Sequence, residues 1–476
     1  MTDKKGNISR RPVVFKRPIR PDAKTFIITA AQNATPVHTD FWACLQTARK
    51  ALNAELMVVP IRYKNPTSRW PASQRNDETW AAQVQPYLYN ARRVMNKNLL
   101  LLGDIKTQPT ASDPLSGFEA VSGQESAIIA HTKLQLRSIP TPANKMAKII
   151  TTTGACTVPN YTDSKAGKKG EFHHALAALI VEIDGPIFHL RQVNFDKKTR
   201  SFTDLETRYF PTRAVRAPRP LALVMGDTHV DFIDPLVEKA TDEIIAMLEP
   251  ANLIWHDLLD GYSANPHHSG NPFNAYAKRM AGADRVKQEV FRAIDHVTAK
   301  TPPLGCHSII VSSNHDDFLR RWVVNTDWRE DPTNAEFYLA TAWAMIRDTK
   351  MGPGGTEYPS PFPYWFKQRQ PSPKFHCLKG NESFMLSGVE LGLHGDRGPN
   401  GARGSARNLR RIGVKSIIGH SHSPEINEGC YQVGTSTRLR LEYNSGPSSW
   451  LNAHCLLHAD GKRQLIIIVN GKWRLQ

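Results

Sequence analysis

Along the first half of the chain, short apolar runs alternate with one amphipathic stretch. Thr25–Ala31 reads as a buried strand, Phe41–Ala54 as an amphipathic helix and Leu56–Ile61 as a second strand. That β-α-β order predicts an α/β domain. Leu99–Gly103 and Lys148–Thr153 are further strand candidates, and Ala177–Asp184 with Pro186–Val193 reads as a hairpin around Asp184-Gly185. A Pro- and Arg-rich stretch, Pro211–Pro220, follows and is expected to be a linker.

Beyond it the pattern sharpens. Leu221–Met225, Leu253–Trp255, His307–Ser312 and Lys415–Ile418 are strand-like runs. Between them, helices are predicted over Ile233–Leu248, Ala275–Val297 and Ala335–Asp348. In the first of these, Leu236, Val237, Ala240, Ile244 and Met247 share one face. From about Glu428 the chain reads as successive strands, ending in a hairpin around Asp460-Gly461. The expected organisation is a basic arm (1–24), a basic α/β domain (25–210), the linker (211–220) and a C-terminal domain (221–476).

Composition narrows the class. The 476 residues are 40% hydrophobic, as in an ordinary globular chain. No apolar run approaches a membrane span, and the basic N-terminus lacks an apolar signal core. Six cysteines are scattered without a CxxC pair, which fits a reducing, cytoplasmic compartment.

Charge placement adds more. Residues 1–220 hold 33 Lys+Arg and 17 Asp+Glu, a balance of +16, whereas 221–476 hold 28 and 27, or +1. The excess therefore sits in the N-terminal half. A polyanionic partner, DNA above all, is the expected reason, and a bare solubility effect is the bland alternative.

The chemistry lies in the other half. Five segments occur in order: Gly226-Asp227-Thr228-His229, His256-Asp257-Leu258-Leu259-Asp260, Ser313-Asn314-His315-Asp316, Leu393-His394-Gly395-Asp396 and Gly419-His420-Ser421-His422. Most follow a predicted strand, and so fall on loops at carboxyl ends of strands, where open α/β sheets bind ligands. Singly, an Asp-x-His or His-x-His is a common loop or cap feature. Together the five supply Asp, His, Asp, Asn, His, His and His. That set can hold two metals sharing one carboxylate, the arrangement that hydrolyses phosphate esters. Mixed N/O ligation favours Mn, with Fe or Zn as alternatives, over Mg or Ca.

The order resembles the calcineurin-like metallophosphoesterase superfamily, whose signature reads Asp-x-His, Gly-Asp, Gly-Asn-His-Asp/Glu, a single His, then Gly-His-x-His. The resemblance covers about residues 221–425. It implies a four-layer α/β/β/α sandwich, here preceded by the basic α/β domain. It also implies one metal on Asp227, His229, Asp257 and His422, and a second on Asp257, Asn314, His394 and His420. His315 would touch the scissile phosphate without binding metal. Asp260 and Asp316 would hydrogen-bond to ligands from behind. Two departures stand out: His256 and Ser313 occupy positions where the signature has glycine.

Within the superfamily the chain is most similar to the nuclease branch, and its layout resembles DNA-degrading nucleases of large tailed phages. The expected function is a dimetal phosphodiesterase hydrolysing the DNA backbone with a metal-activated water, in the host cytoplasm if viral. A phosphatase or cyclic-nucleotide phosphodiesterase, and a nucleic-acid-binding structural protein, are the rival readings. The sequence leaves a homo-oligomer open.

Further residues are candidates for substrate contact. Arg397, Arg403 and Arg407 lie on a Gly-rich stretch expected to enter a helix near Ala402, either as phosphate contacts or as a solvated basic face. His267 and His268 follow the second motif and are either substrate contacts or surface-loop histidines. Tyr358–Arg369 interleaves aromatic and basic residues, so it is either a base-stacking loop or a packed connection. Lys165–Gly170 reads as a basic loop.

Overall fold

Continuous apolar runs become strands buried on both faces, as parallel sheets require. In the computed structural model, which describes residues 14–475 apart from 76–77, 266–270, 354, 358, 381 and 443, the chain is α/β. It forms two units. One comprises residues up to Leu136, Lys148–Arg216 and Leu475; the other comprises Arg137–Ala147 and Ala217–Arg474.

In the first unit, Thr25–Gln32 pairs in parallel with Glu55–Ile61 and antiparallel with Ala177–Asp184, which turns into Ile187–Asn194. The connecting helix, Thr39–Ala51, buries Phe41, Cys44, Leu45 and Ala48 among Ile27, Val58 and Ile180. Strands Arg92–Asn96, Leu99–Leu102, Ser126–Ile129 and Lys148–Thr152 pair in that order. The stretch expected as a linker carries a strand: Ala214–Arg216 pairs with Thr207–Tyr209. The expected basic loop at Lys165–Gly170 is instead a helix, Lys165–His173. Ser164 caps it by accepting from the Gly167 amide, and Lys168 sits 2.8 Å from Asp163.

The basic charge of this unit is partly spent inside it. Arg17 and Arg20 both pair with Glu55. Arg191, almost wholly buried, lies between Asp204 (2.7 Å) and Glu182 (2.8 Å).

The second unit holds a six-stranded sheet in the order Phe375–Cys377, His307–Ile310, Asn252–Trp255, Ala222–Val224, Asn452–Leu457, Arg463–Ile468. The first four are parallel, and Asn452–Leu457 joins antiparallel. Lys415–Ile418 lies between Val389–Glu390 and Cys430–Gln432 in another sheet, with Glu425–Asn427 beyond. Helix Pro235–Leu248 is capped by Asp234 and buries Val237, Ala240, Thr241 and Ile244. Leu236, expected on that face, is exposed, because the buried face runs through Val237, Thr241, Ile244 and Leu248 instead.

The single helix expected over Ala275–Val297 is two, Pro272–Ala281 and Val286–Lys300. Gly282 ends the first in the left-handed region (φ +65°), a stop that glycine adopts without a Cβ penalty. Ala335–Asp348 is helical as expected. Pro361–Arg369 is a helix in contact with Val286–Lys300, Phe318–Asn325 and Ala335–Asp348. No helix among the described residues is long and apolar enough to cross a membrane.

Candidate metal centre

Three parallel strands of one sheet and one strand of another deliver most of the candidate ligands. Asp227 and His229 follow Ala222–Val224, Asp257 follows Asn252–Trp255, Asn314 and His315 follow His307–Ile310, and His420 and His422 follow Lys415–Ile418. His394 comes from the loop after Val389–Glu390.

The loops are tied to one another by backbone. The amides of Thr228, His229 and Val230 donate to the carbonyls of His256, Asp257 and Leu258 at 3.0, 2.7 and 3.0 Å. The Gly419 amide donates to the His394 carbonyl at 2.7 Å. A Cβ at Gly419 would stand 2.2 Å from Asp227 Oδ1, so only glycine allows this loop so close to the carboxylate.

The backbone is also strained here. His229, Asp257, His420 and His422 have φ of +40°, +43°, +77° and +58°. Each left-handed non-glycine residue costs about 1–2 kcal/mol, and such outliers gather at functional sites.

Asp257 is the common member of three groups. It lies with His229 and His315, with His394 and His420, and with Asp227 and His422, the ligand atoms of each group falling within 4.8 Å of one another. Its Oδ2 is 3.0 Å from His394 Nε2 and 3.9 Å from His229 Nε2. Asp227 Oδ2 is 3.2 Å from His422 Nε2. Asn314 Oδ1 is 3.1 Å from both His394 Nε2 and His420 Nδ1. All seven expected ligands are thus gathered around one carboxylate.

Ring orientation follows from the other nitrogens. His229 Nδ1 donates to the Leu259 carbonyl at 3.1 Å, which turns the Nε2 lone pair toward His422 Nε2, also 3.1 Å away. His422 Nδ1 is buried without a hydrogen bond. Whichever tautomer His422 takes, one buried nitrogen is left unsatisfied, at a cost of about 1–3 kcal/mol. A cation shared by the facing His229 and His422 Nε2 atoms would take both lone pairs, so the residues fit a metal.

The electrostatics agree. Burial takes His229 down to about 3 and holds His422 well below its ordinary value, so both are neutral donors. Burial lifts Asp227 to about 7, against the pull of His394. Burial opposes charge on His394, yet the Asp257 carboxylate outweighs it and raises His394 to about 9. Asp257 itself stays well below the usual carboxylate range: burial pushes it up, but the neighbouring His394 and His315 push harder the other way.

His315 donates from Nδ1 to the Asp260 carbonyl (2.9 Å), and its amide approaches Asp257 Oδ1 at 3.3 Å. It stands as close to Asp257 as the expected ligands do. Asp260 Oδ1 lies 3.4 Å from His229 Nδ1. Asp316 supports backbone rather than a ring: its Oδ1 accepts from the Leu259 amide at 3.0 Å.

Arg397, Arg403 and Arg407 are exposed, and the helix expected near Ala402 starts at Ala406, where Ser405 and Asn408 form a capping box. His267 and His268 lie outside the described residues.

Two neighbours fall outside the expected ligand set. His256 is fully buried, and its Nδ1 faces His394 Nδ1 at 3.3 Å. Burial takes it down to about 3, so it is a neutral acceptor that can orient His394. The clue was its place where the signature has glycine. Trp450 packs edge-on against His422 with ring centroids 4.1 Å apart, and nothing in the sequence near it pointed to the site.

No protein-family model matches the chain. It is 30% identical over 469 residues to Protein A1 of Escherichia phage T5, an alignment covering 94% of this chain and 83% of that protein. The chain belongs to the family of phage T5 Protein A1.

Proposed function

We propose that this protein is a dimetal-dependent phosphodiesterase that cuts DNA, with the C-terminal unit folded as the four-layer α/β/β/α metallophosphoesterase sandwich. The observation that carries the reading is the shared carboxylate: Asp257 belongs to three overlapping groups of potential ligands. Asp227, His229, Asp257 and His422 would hold one cation, and Asp257, Asn314, His394 and His420 the other. Manganese suits this mixed set best, with iron or zinc as alternatives. Bound there, the cations neutralise phosphate charge and acidify water.

The protein's own groups do the rest. The strand-end loops fix the donors before substrate arrives, so little reorganisation is needed. His315, with Nδ1–H tied to the Asp260 carbonyl, keeps Nε2 as its other ring nitrogen beside His229 and Asp257. Burial opposes its charge, but Asp257 and Asp260 raise its pKa above the ordinary value, which suits proton donation to a leaving alkoxide near neutrality. The +16 balance of residues 1–220 supports DNA as the polyanion. The phage relative supports action in the host cytoplasm.

The test is incubation with Mn²⁺ and, separately, supercoiled plasmid, linear duplex, single strand and bis-p-nitrophenyl phosphate, alongside His315→Ala and Asp257→Ala. Cleavage of DNA by the unmodified chain, lost in Asp257→Ala, is expected. Hydrolysis of the small diester without any DNA cleavage would overturn the nuclease reading.

A further inference from the structure

A cleft of about 840 Å³ opens beside the candidate centre. Ser313 and Asp316, which bracket Asn314 and His315, form part of its wall, so its inner end reaches the motif that carries His315. Helices Ala335–Asp348 and Pro361–Arg369 and the segment Cys377–Gly380 supply the other walls.

The aromatic-basic stretch flagged in the sequence divides its residues between two jobs. Phe362 and Phe366 are buried core. Trp365 donates to Thr341 Oγ1 at 3.0 Å and packs on Phe337. Tyr364 is left half-buried on the cleft, with the Arg347 guanidinium 5.7 Å from its ring. Lys367, Lys379 and Arg397 are exposed around the same cleft, which Asp317, Asp348 and Glu357 also line, Asp317 being paired with Arg320 at 2.7 Å. At the inner wall, Asp316 is 4% exposed and its Oδ2 has no hydrogen-bond partner.

An aromatic face with cations spaced around it is the chemistry that holds a base and its flanking phosphates. The opening is large enough for more than a free phosphate.

We infer that this cleft is the single-strand subsite, holding the unpaired nucleotides next to the scissile phosphate, with a base on Tyr364 and phosphates on Lys367, Lys379 and Arg397. The inference rests on the phosphodiesterase reading above and adds the substrate form: an unpaired strand rather than intact duplex.

The experiment compares Tyr364→Ala, Tyr364→Phe and the double variant Lys367→Ala/Lys379→Ala in the full chain. Two substrates are read with Mn²⁺: a (dT)12 oligonucleotide and bis-p-nitrophenyl phosphate. Binding of fluorescein-labelled (dT)12, of a blunt duplex and of thymidine monophosphate is read by anisotropy or competition. Tyr364→Ala should lower kcat/KM on (dT)12 about tenfold relative to that on the small diester, while Tyr364→Phe stays near the unmodified ratio. The double lysine variant should flatten the salt dependence of (dT)12 binding by about 1.4 log units per log unit of salt.

An unchanged ratio in Tyr364→Ala would overturn the subsite while leaving the phosphodiesterase reading intact. Equal loss on blunt duplex and (dT)12 would also overturn it, as would competition by the mononucleotide as strong as that by the strand. If the unmodified chain hydrolyses neither substrate, the underlying reading fails and the subsite falls with it.

Discussion

His256 offers a sharp perturbation because its side chain faces the expected ligand His394. Its Nδ1 faces His394 Nδ1 at 3.3 Å, so it is the acceptor when His394 ligates through Nε2, and its ring is fully buried. In His256→Ala that acceptor is gone, and the buried His394 N–H loses its partner. An unsatisfied buried donor costs about 1–3 kcal/mol. At about 1.4 kcal/mol per decade, that is a loss of roughly 5- to 150-fold in any equilibrium that needs His394 in place. Removal of an orienting partner behind a metal-bound histidine falls in the same range, about 10–100-fold in affinity.

Calorimetric titration of Mn²⁺ into the metal-stripped chain measures it. His256→Ala should weaken the tighter or the weaker of two binding events by about that factor. His256→Gln, which restores an acceptor, should recover part of the loss. Unchanged affinity in a folded His256→Ala chain would refute the claim that His394 is a ligand held from behind.

Proton release tests the electrostatics. His394, raised to about 9, is charged at pH 7 and must lose its proton to ligate, and Asp227 near 7 is half protonated. Metal uptake at pH 7 should therefore release about one to two protons, and affinity should fall as pH drops below about 9; calorimetry in buffers of different ionisation enthalpy reads this, and no release would contradict it.

Gly419→Ala, whose Cβ would sit 2.2 Å from Asp227 Oδ1, should cost about 1–3 kcal/mol in thermal unfolding and weaken Mn²⁺ binding. In the first unit, Arg191→Met leaves Asp204 and Glu182 buried without their cation, for a loss of about 3–5 kcal/mol. Burial would raise Glu182, but Arg191 keeps it below its ordinary value, so the ion pair stabilises above pH about 4 and that contribution disappears on acidification. The deficit of Arg191→Met in urea unfolding should accordingly shrink below pH 4.

The elements that could be read from the sequence were those with strong local signals. Glu55–Ile61 and Thr25–Gln32 are predominantly apolar runs, and the structure pairs them in parallel. Ala335–Asp348 and Lys415–Ile418 match their expected bounds. The errors came where local composition and three-dimensional context disagree. Lys165–His173 is rich in lysine and glycine, yet a serine cap and the Asp163–Lys168 pair make it helical. The apolar period runs on past Gly282, which hid a left-handed stop.

At the centre, spacing gave the candidate residues because two-apart donors at strand ends face one cleft. His256 and Trp450 were not legible as partners, since a contact across 138 residues in one case and 28 in the other leaves no local pattern. Four left-handed non-glycine residues at the centre were equally invisible, because only the assembled loops impose that strain.

The most direct test of the account is DNA cleavage by the full chain as metal is withdrawn and restored. The dimetal reading implies no cleavage of linear or single-stranded DNA in excess chelator, recovery on adding Mn²⁺, and no recovery in Asp257→Ala. Cleavage that persists in chelator, or that Mn²⁺ restores equally in Asp257→Ala, would contradict it.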